Sequence, residues 1–144
     1  MLKLAVGAIL FMAQLNGLGG GDLPQVLHPD YKSAAPVKAG KKSGVTVSFN
    51  LEKGFVINRN PPISLKLTAI SGMTLEKTDF TTSSEDPKSK DEYYADLPTI
   101  NVPVTARKAG KYEIPGKLVY FFCSKAGGFC SRQTLDVKIP VTVQ

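Results

Sequence analysis

The sequence predicts an all-β fold, a sandwich of antiparallel sheets, on three observations. Apolar and polar residues alternate with a period of two through most of the chain after Gly44, the pattern of strands with one buried face. Gly, Pro, Asn and Ser interrupt that pattern at intervals of about 8–12 residues. No stretch beyond the N-terminal leader carries the spacing of an amphipathic helix. Strands with one apolar face bury it when two sheets pack face to face.

The first predicted strand runs through Val45, Val47, Phe49 and Leu51, alternating with Thr46, Ser48 and Asn50. Lys53-Gly54 turns the chain into Phe55–Asn58, and Asn60-Pro61-Pro62 ends that segment. Ile63, Leu65, Leu67 and Ala69 then alternate with Ser64, Lys66 and Thr68. Ser71-Gly72 turns the chain again, before a short Met73–Glu76. From Thr78 to Pro98 the alternation breaks: Thr81 to Glu92 is polar and charged, and Tyr93-Tyr94 follows. A long polar loop in a compact domain is either a binding loop or lid, or a tolerated surface insertion, and the residues favour neither. Ile100, Val102 and Val104 resume the alternation; Lys108-Ala109-Gly110 turns the chain into Tyr112 and Ile114, and Pro115-Gly116 leads to the last two strands. The sum is seven or eight short strands.

Those last two strands hold both cysteines. Lys117–Cys123 alternates, Ser124-Lys-Ala-Gly-Gly-Phe129 connects, Cys130-Ser-Arg-Gln-Thr134 follows, and a second alternating run, Leu135 to Val143, leads out. This reads as a β-hairpin with a cysteine at the inner end of each strand. Hairpin strands lie about 5 Å apart, which places facing cysteines within disulfide range. Spacing alone favours a structural staple, which for so short a loop contributes roughly 2–3 kcal/mol. Three neighbours favour a working redox pair instead. The connection is Gly-rich and open to an attacking thiolate, Lys125 and Arg132 flank the pair and favour a thiolate, and Phe129 offers an apolar docking surface.

At 144 residues the chain is expected to form one domain. The formal charge of +6 is spread over scattered lysines without an aromatic–basic stripe, so nucleic-acid binding is not expected. Triad chemistry needs a positioned imidazole, and the lone His28 falls in a Pro-, Ala- and Lys-rich stretch, residues 22–43, expected to be a flexible lead-in. Two Cys and one His are too few for a structural zinc site, and no metal or cofactor is expected. Gly40-Lys-Lys-Ser43 lacks the order of a phosphate-binding loop. The absence of Trp weakens a sugar-binding reading. Lys3 followed by the apolar run Leu4–Leu15 and the small residues up to Gly21 has the form of a secretory leader without an Ala-x-Ala site. Residues 1–21 are therefore expected to be a signal peptide or N-terminal anchor, and residues 44–144 the sandwich domain. Export places the cysteines where an even count pairs.

The stretch Val-Tyr-Phe-Phe-Cys123-Ser-Lys-Ala-Gly-Gly-Phe-Cys130, running on through Thr134 to Val-Lys-Ile-Pro140, resembles the terminal hairpin of the N-terminal periplasmic domain of DsbD. Gly54–Arg59 and Leu97–Thr105 extend the resemblance upstream with less specific matches. The resemblance implies an immunoglobulin-like sandwich in the periplasm or cell envelope. Its cysteine pair would pass reducing equivalents between a membrane thiol-reductant donor and exported thioredoxin-like proteins. It implies that Cys130 forms the mixed disulfide and Cys123 resolves it. It also implies a cap loop with a shielding aromatic, for which Phe80 and Tyr93 are both candidates. The sequence departs from the family in three ways. Six residues lie between the cysteines instead of five, Val56 and Asn58 stand where tyrosines are expected, and neither the membrane nor the thioredoxin domain is present, so the donor is expected to be separate. The alternative is a non-enzymatic binding or scaffold module whose disulfide is purely structural.

Overall fold

The computed structural model describes residues 24–33, 35–82 and 92–144. The expected leader, residues 1–21, and most of the polar stretch between Thr81 and Glu92 lie outside them. The described residues form nine strands: β1 Leu27–Ser33, β2 Lys42–Leu51, β3 Phe55–Ile57, β4 Ser64–Leu67, β5 Met73–Leu75, β6 Asp79–Thr81, β7 Ile100–Ala106, β8 Gly110–Ser124 and β9 Cys130–Val143. One sheet has the order β1-β2-β7-β5; the other holds β3, β4, β6, β8 and β9, with β8 at its centre. Every strand pairing is antiparallel. The described residues form an all-β sandwich of two antiparallel sheets, as the alternation predicts.

The core lies between the sheets and is filled by the apolar half of each alternating strand. Val45, Val47 and Phe49 of β2 and Ile100, Val102, Val104 and Ala106 of β7 face Ile114, Leu118, Tyr120 and Phe122 of β8 and Val137, Ile139, Val141 and Val143 of β9. Burial of this apolar surface is the main stabilising term.

Three elements differ from the sequence expectation. Residues 27–33, expected within a flexible lead-in, form β1 along β2. Their polar composition hides them because β1 is an edge strand, and its anchors are Val26 and Leu27, both fully buried. Leu27 N–H and the Gln133 side chain both hydrogen-bond the buried Tyr120 hydroxyl, which ties this segment to the opposite sheet. His28, in β1, is partly exposed and pairs with Glu52 at 2.9 Å. A short β6 lies inside the expected loop, with Phe80 buried opposite Leu65.

Finally, Pro115-Gly116 does not break β8, which runs without interruption for 15 residues. Proline is tolerated because β4 pairs only as far as Gly116, and beyond it Thr68 N–H donates to the Pro115 carbonyl at 2.8 Å. Glycine is required because β4 crosses closely there. A Cβ on Gly116 would stand 2.7 Å from the Lys66 carbonyl oxygen and 2.8 Å from Leu67 Cδ2.

Gly116→Ala is therefore expected to destabilise the fold by about 1–3 kcal/mol through overpacking against backbone, read from urea unfolding. A second expectation concerns alkaline pH. Burial raises the pKa of Tyr120, against smaller opposing effects of backbone hydrogen bonds from Leu27 and Val26, and burial raises that of Tyr31. Both hydroxyls stay protonated in the folded protein at pH values where the unfolded chain, titrating near pH 10, has lost those protons. The unfolded state then binds fewer protons, so stability is intact below about pH 10 and falls above it. Tyr120→Phe should lower stability at neutral pH, by about 1–3 kcal/mol for the buried partners left unpaired, and flatten the alkaline decline in denaturation curves.

Candidate functional site

The hairpin β8–β9 pairs without a break from Gly110↔Val143 to Cys123↔Cys130. Ser124 N–H donates to the Phe129 carbonyl at 2.8 Å just beyond, so the alternation of an antiparallel ladder makes Cys123↔Cys130 a non-hydrogen-bonded pair. Such pairs bring side chains closest, and here they are joined as a disulfide with Cα atoms 3.9 Å apart. The tip is fixed by Gly127 N–H on Ser124 Oγ, by Lys125 N–H on the Gly54 carbonyl, and by Gly128 at a φ of 63°.

Parity decides where the sulfurs point. Tyr120 and Phe122 face the core, so Cys123 and its partner Cys130 face outward, away from the opposite sheet. The bond is a cross-strand link on the outer face and spans no core. Its two ends differ: Cys123 is 6% exposed, whereas Cys130, in the terminal strand of the sheet, is open to solvent.

What covers Cys123 comes from the strand on its other side. Val56 of β3 pairs with Cys123, so the row Val56–Cys123–Cys130 crosses three strands. After Ile57 the chain leaves β8. The six residues Asn58–Ile63 separate Ile57 from Ser64, while only Tyr120 and Phe121 separate their partners on β8. This looped segment, which contains a cis Asn60–Pro61 bond, holds both described ends of the polar stretch. Ile63 N–H donates to Thr82 Oγ1, Arg59 N–H to the Glu92 carbonyl, and Tyr94 N–H to the Ile57 carbonyl. The Tyr94 hydroxyl hydrogen-bonds Thr82 Oγ1 at 2.7 Å, and the Arg59 guanidinium lies 5.9 Å from the Tyr94 ring centre. Pinned in this way, Tyr93 bridges to Asn58 and its hydroxyl donates to Cys123 Sγ at 3.8 Å. Asn58 Oδ1 stands 3.4 Å from the same sulfur. A bonded sulfur carries no proton, so in the disulfide this is a contact; the thiol formed on reduction can donate to it.

Of the expected aromatic neighbours, the structure brings one to the pair. Tyr93 lies against Cys123, whereas Phe80 sits in the core-facing row Phe80–Leu65–Leu118 and does not approach the sulfurs. Phe129 is adjacent to Cys130 in sequence but opposite Ser124, on the other side of the sheet, where its ring packs edge-on against Phe122 at 6.3 Å. At 43% exposure it is the one large apolar side chain open to solvent among the described residues, and it closes the end of the core without covering the disulfide. Arg132 shares the outer face with Cys130, and Lys125 sits in the turn. Asn58 enters the sequence reading only as a departure from a family pattern. Its alternation with Val56, next to the Pro61-Pro62 interruption, is the signal that places it beside Cys123. Among the described residues no group of His, Cys, Asp or Glu side chains is arranged to hold a metal ion, and no helix is long and apolar enough to cross a membrane.

No protein-family model matches the chain, and no curated protein does. Among solved structures it is similar to a cohesin module from a Clostridium perfringens family 33 glycoside hydrolase, at 8% identity over 84% of this chain and 100% of that one, with a TM-score of 0.43.

The unequal exposure has a direct test. In the reduced protein under native conditions, a maleimide should modify Cys130 well before Cys123, with peptide mapping to identify the site. Equal rates would mean that the cover over Cys123 opens freely.

Proposed function

We propose that the protein is an exported thiol–disulfide exchange module, whose Cys123–Cys130 pair passes reducing equivalents to or from thioredoxin-like partners. The observation that carries this reading is the asymmetry of an outer-face disulfide. One sulfur stands in an open terminal strand and the other is covered. Exchange proceeds by attack of a thiolate on one sulfur with departure of the other, and access selects Cys130 as the sulfur attacked. The new bond joins the partner's sulfur to Cys130, the Cys123–Cys130 bond breaks, and its electron pair leaves on Cys123. Return attack by Cys123 on the mixed disulfide reverses the step. Attack instead by a second partner thiol on the partner's own sulfur leaves both cysteines here reduced and the partner oxidised. Lys125 and Arg132 supply positive charge near the incoming thiolate.

Two further points support the reading. The hairpin motif resembles that of the DsbD N-terminal domain, whose partners are exported thioredoxin-like proteins and a membrane reductant donor. A disulfide also fits export, because oxidising compartments are where such bonds persist. As a staple, the bond would reinforce strands that are already paired. Continuous pairing already joins β8 to β9, and the closed loop is only eight residues from Cys123 to Cys130, worth about 2–3 kcal/mol in the loop-entropy model.

The reduction potential tests the proposal, measured by equilibration in glutathione buffers. A value near about −230 mV is expected for a pair that exchanges with thioredoxin-like proteins, whereas structural bonds lie below about −300 mV. Cys123→Ala should then trap a mixed disulfide through Cys130, and Cys130→Ala should trap none. A potential below about −300 mV would make the bond structural and the sandwich a binding or scaffold module.

A further inference from the structure

We infer that Asn58 and Tyr93 are positioning residues for the leaving sulfur, a pair of hydrogen-bonding groups that receives the Cys123 thiolate as Cys130 is attacked; this rests on the exchange reading above. In that step a partner thiolate bonds to Cys130 Sγ, the Cys130–Cys123 bond breaks, and the electron pair remains on Cys123 Sγ. No proton moves. The negative charge therefore arrives at the covered sulfur, where loss of water makes a bare anion costly.

Both groups within reach of that sulfur can donate. The Tyr93 hydroxyl stands 3.8 Å from Cys123 Sγ, within reach to donate to it. The Asn58 amide end, 3.4 Å away, presents its oxygen to a thiol and, turned over, its NH2 group to a thiolate. Among the described residues no other hydrogen bond holds that amide, so the turn breaks no existing bond. Both residues are held from behind. Asn58 N–H donates to the Phe121 carbonyl at 2.9 Å, and Tyr93 is clamped between the Arg59–Glu92 and Tyr94–Ile57 hydrogen bonds. Donors fixed in advance where charge develops stabilise a transition state without reorganisation. Val56, paired with Cys123, and Phe121, two residues before it on the same face of β8, are apolar; among the described residues the charged groups on the adjoining segments are Arg132 of β9, Lys125 of the turn, Arg59 of the looped segment and Glu92 beside Tyr93.

The test compares reduction by dithiothreitol of the wild type, Tyr93→Phe, Asn58→Leu and Asn58→Asp. Losing one donor to a charged sulfur should slow reduction about tenfold in the Phe and Leu variants. Asn58→Asp should be slower still, because a carboxylate repels the emerging thiolate. A role in shape alone predicts the reverse order, since Asp is the closer copy of Asn. In a Cys130→Ala background, the ultraviolet absorbance of the Cys123 thiolate should appear at higher pH with Tyr93→Phe or Asn58→Asp than without, while the four charged groups stay unchanged. A wild type reduced readily, with all variants reduced equally fast or Asp faster than Leu, overturns this inference and leaves the exchange reading standing. A wild type inert to dithiothreitol removes both.

Discussion

The register of the β8–β9 ladder is the constraint on which the site depends. Side chains alternate between faces with a period of exact residue parity, so a slip of one residue would turn Ile139 and Val141 to solvent and swing Cys130 toward the core. The apolar side chains facing the opposite sheet hold that register from one end of the hairpin. The disulfide at Cys123–Cys130 holds it from the other. Long edge strands are prone to mispairing, and β9 carries Pro140 opposite Glu113. That position has the parity of Cys130, whose N–H points away from β8, so the missing donor costs no bond within the hairpin. The same register that fills the core thus delivers one sulfur to an exposed strand and its partner to a covered one.

The cover is built from a second departure from regular structure. Beyond Asn58, whose N–H still bonds the Phe121 carbonyl of β8, the chain loops away as far as Ile63 and offers backbone groups that no strand of the sheet uses. Those groups bind the two described ends of the polar stretch, through Thr82 and through Glu92 to Tyr94. Buried Thr82 is satisfied within this arrangement by Ile63 and Tyr94, so the contact adds packing without stranding a polar group. The Glu92–Tyr94 anchor sets Tyr93 against Cys123, and the Thr82 anchor is joined to it through the Tyr94 hydroxyl.

Much of this was legible in the sequence, and what was not has identifiable causes. Period-two alternation located β2, β4, β7, β8 and β9, because each buries one face. It could not locate β1, whose anchoring apolar residues, Val26 and Leu27, stand at its very start, nor β6, three residues long with one buried side chain. Pro115-Gly116 read as a turn because its local preference is for one; tertiary context overrides it where β4 stops pairing and needs a close approach. The cysteine pair was visible from its hairpin. Its surroundings were not, since adjacency in sequence misleads in a strand: Phe129, next to Cys130, lies on the opposite face, while Tyr93 arrives from thirty residues away. Local spacing fixes which face a residue takes, but only the looped segment brings Tyr93 and Asn58 to the sulfur.

These features combine into one energetic argument about the covered cysteine. Burial of Cys123 disfavours its thiolate and so would slow any reaction that expels it. Exposure of both sulfurs would remove that penalty, but would also let either be attacked, with no distinction between entering and leaving ends. A covered sulfur with two polar neighbours is a third arrangement. Apolar Val56 and Phe121 exclude water on one side, and Asn58 and Tyr93 return part of the lost solvation on the other. On the exchange reading, the polar lining of one end of this bond solvates the sulfur that is charged when the bond opens.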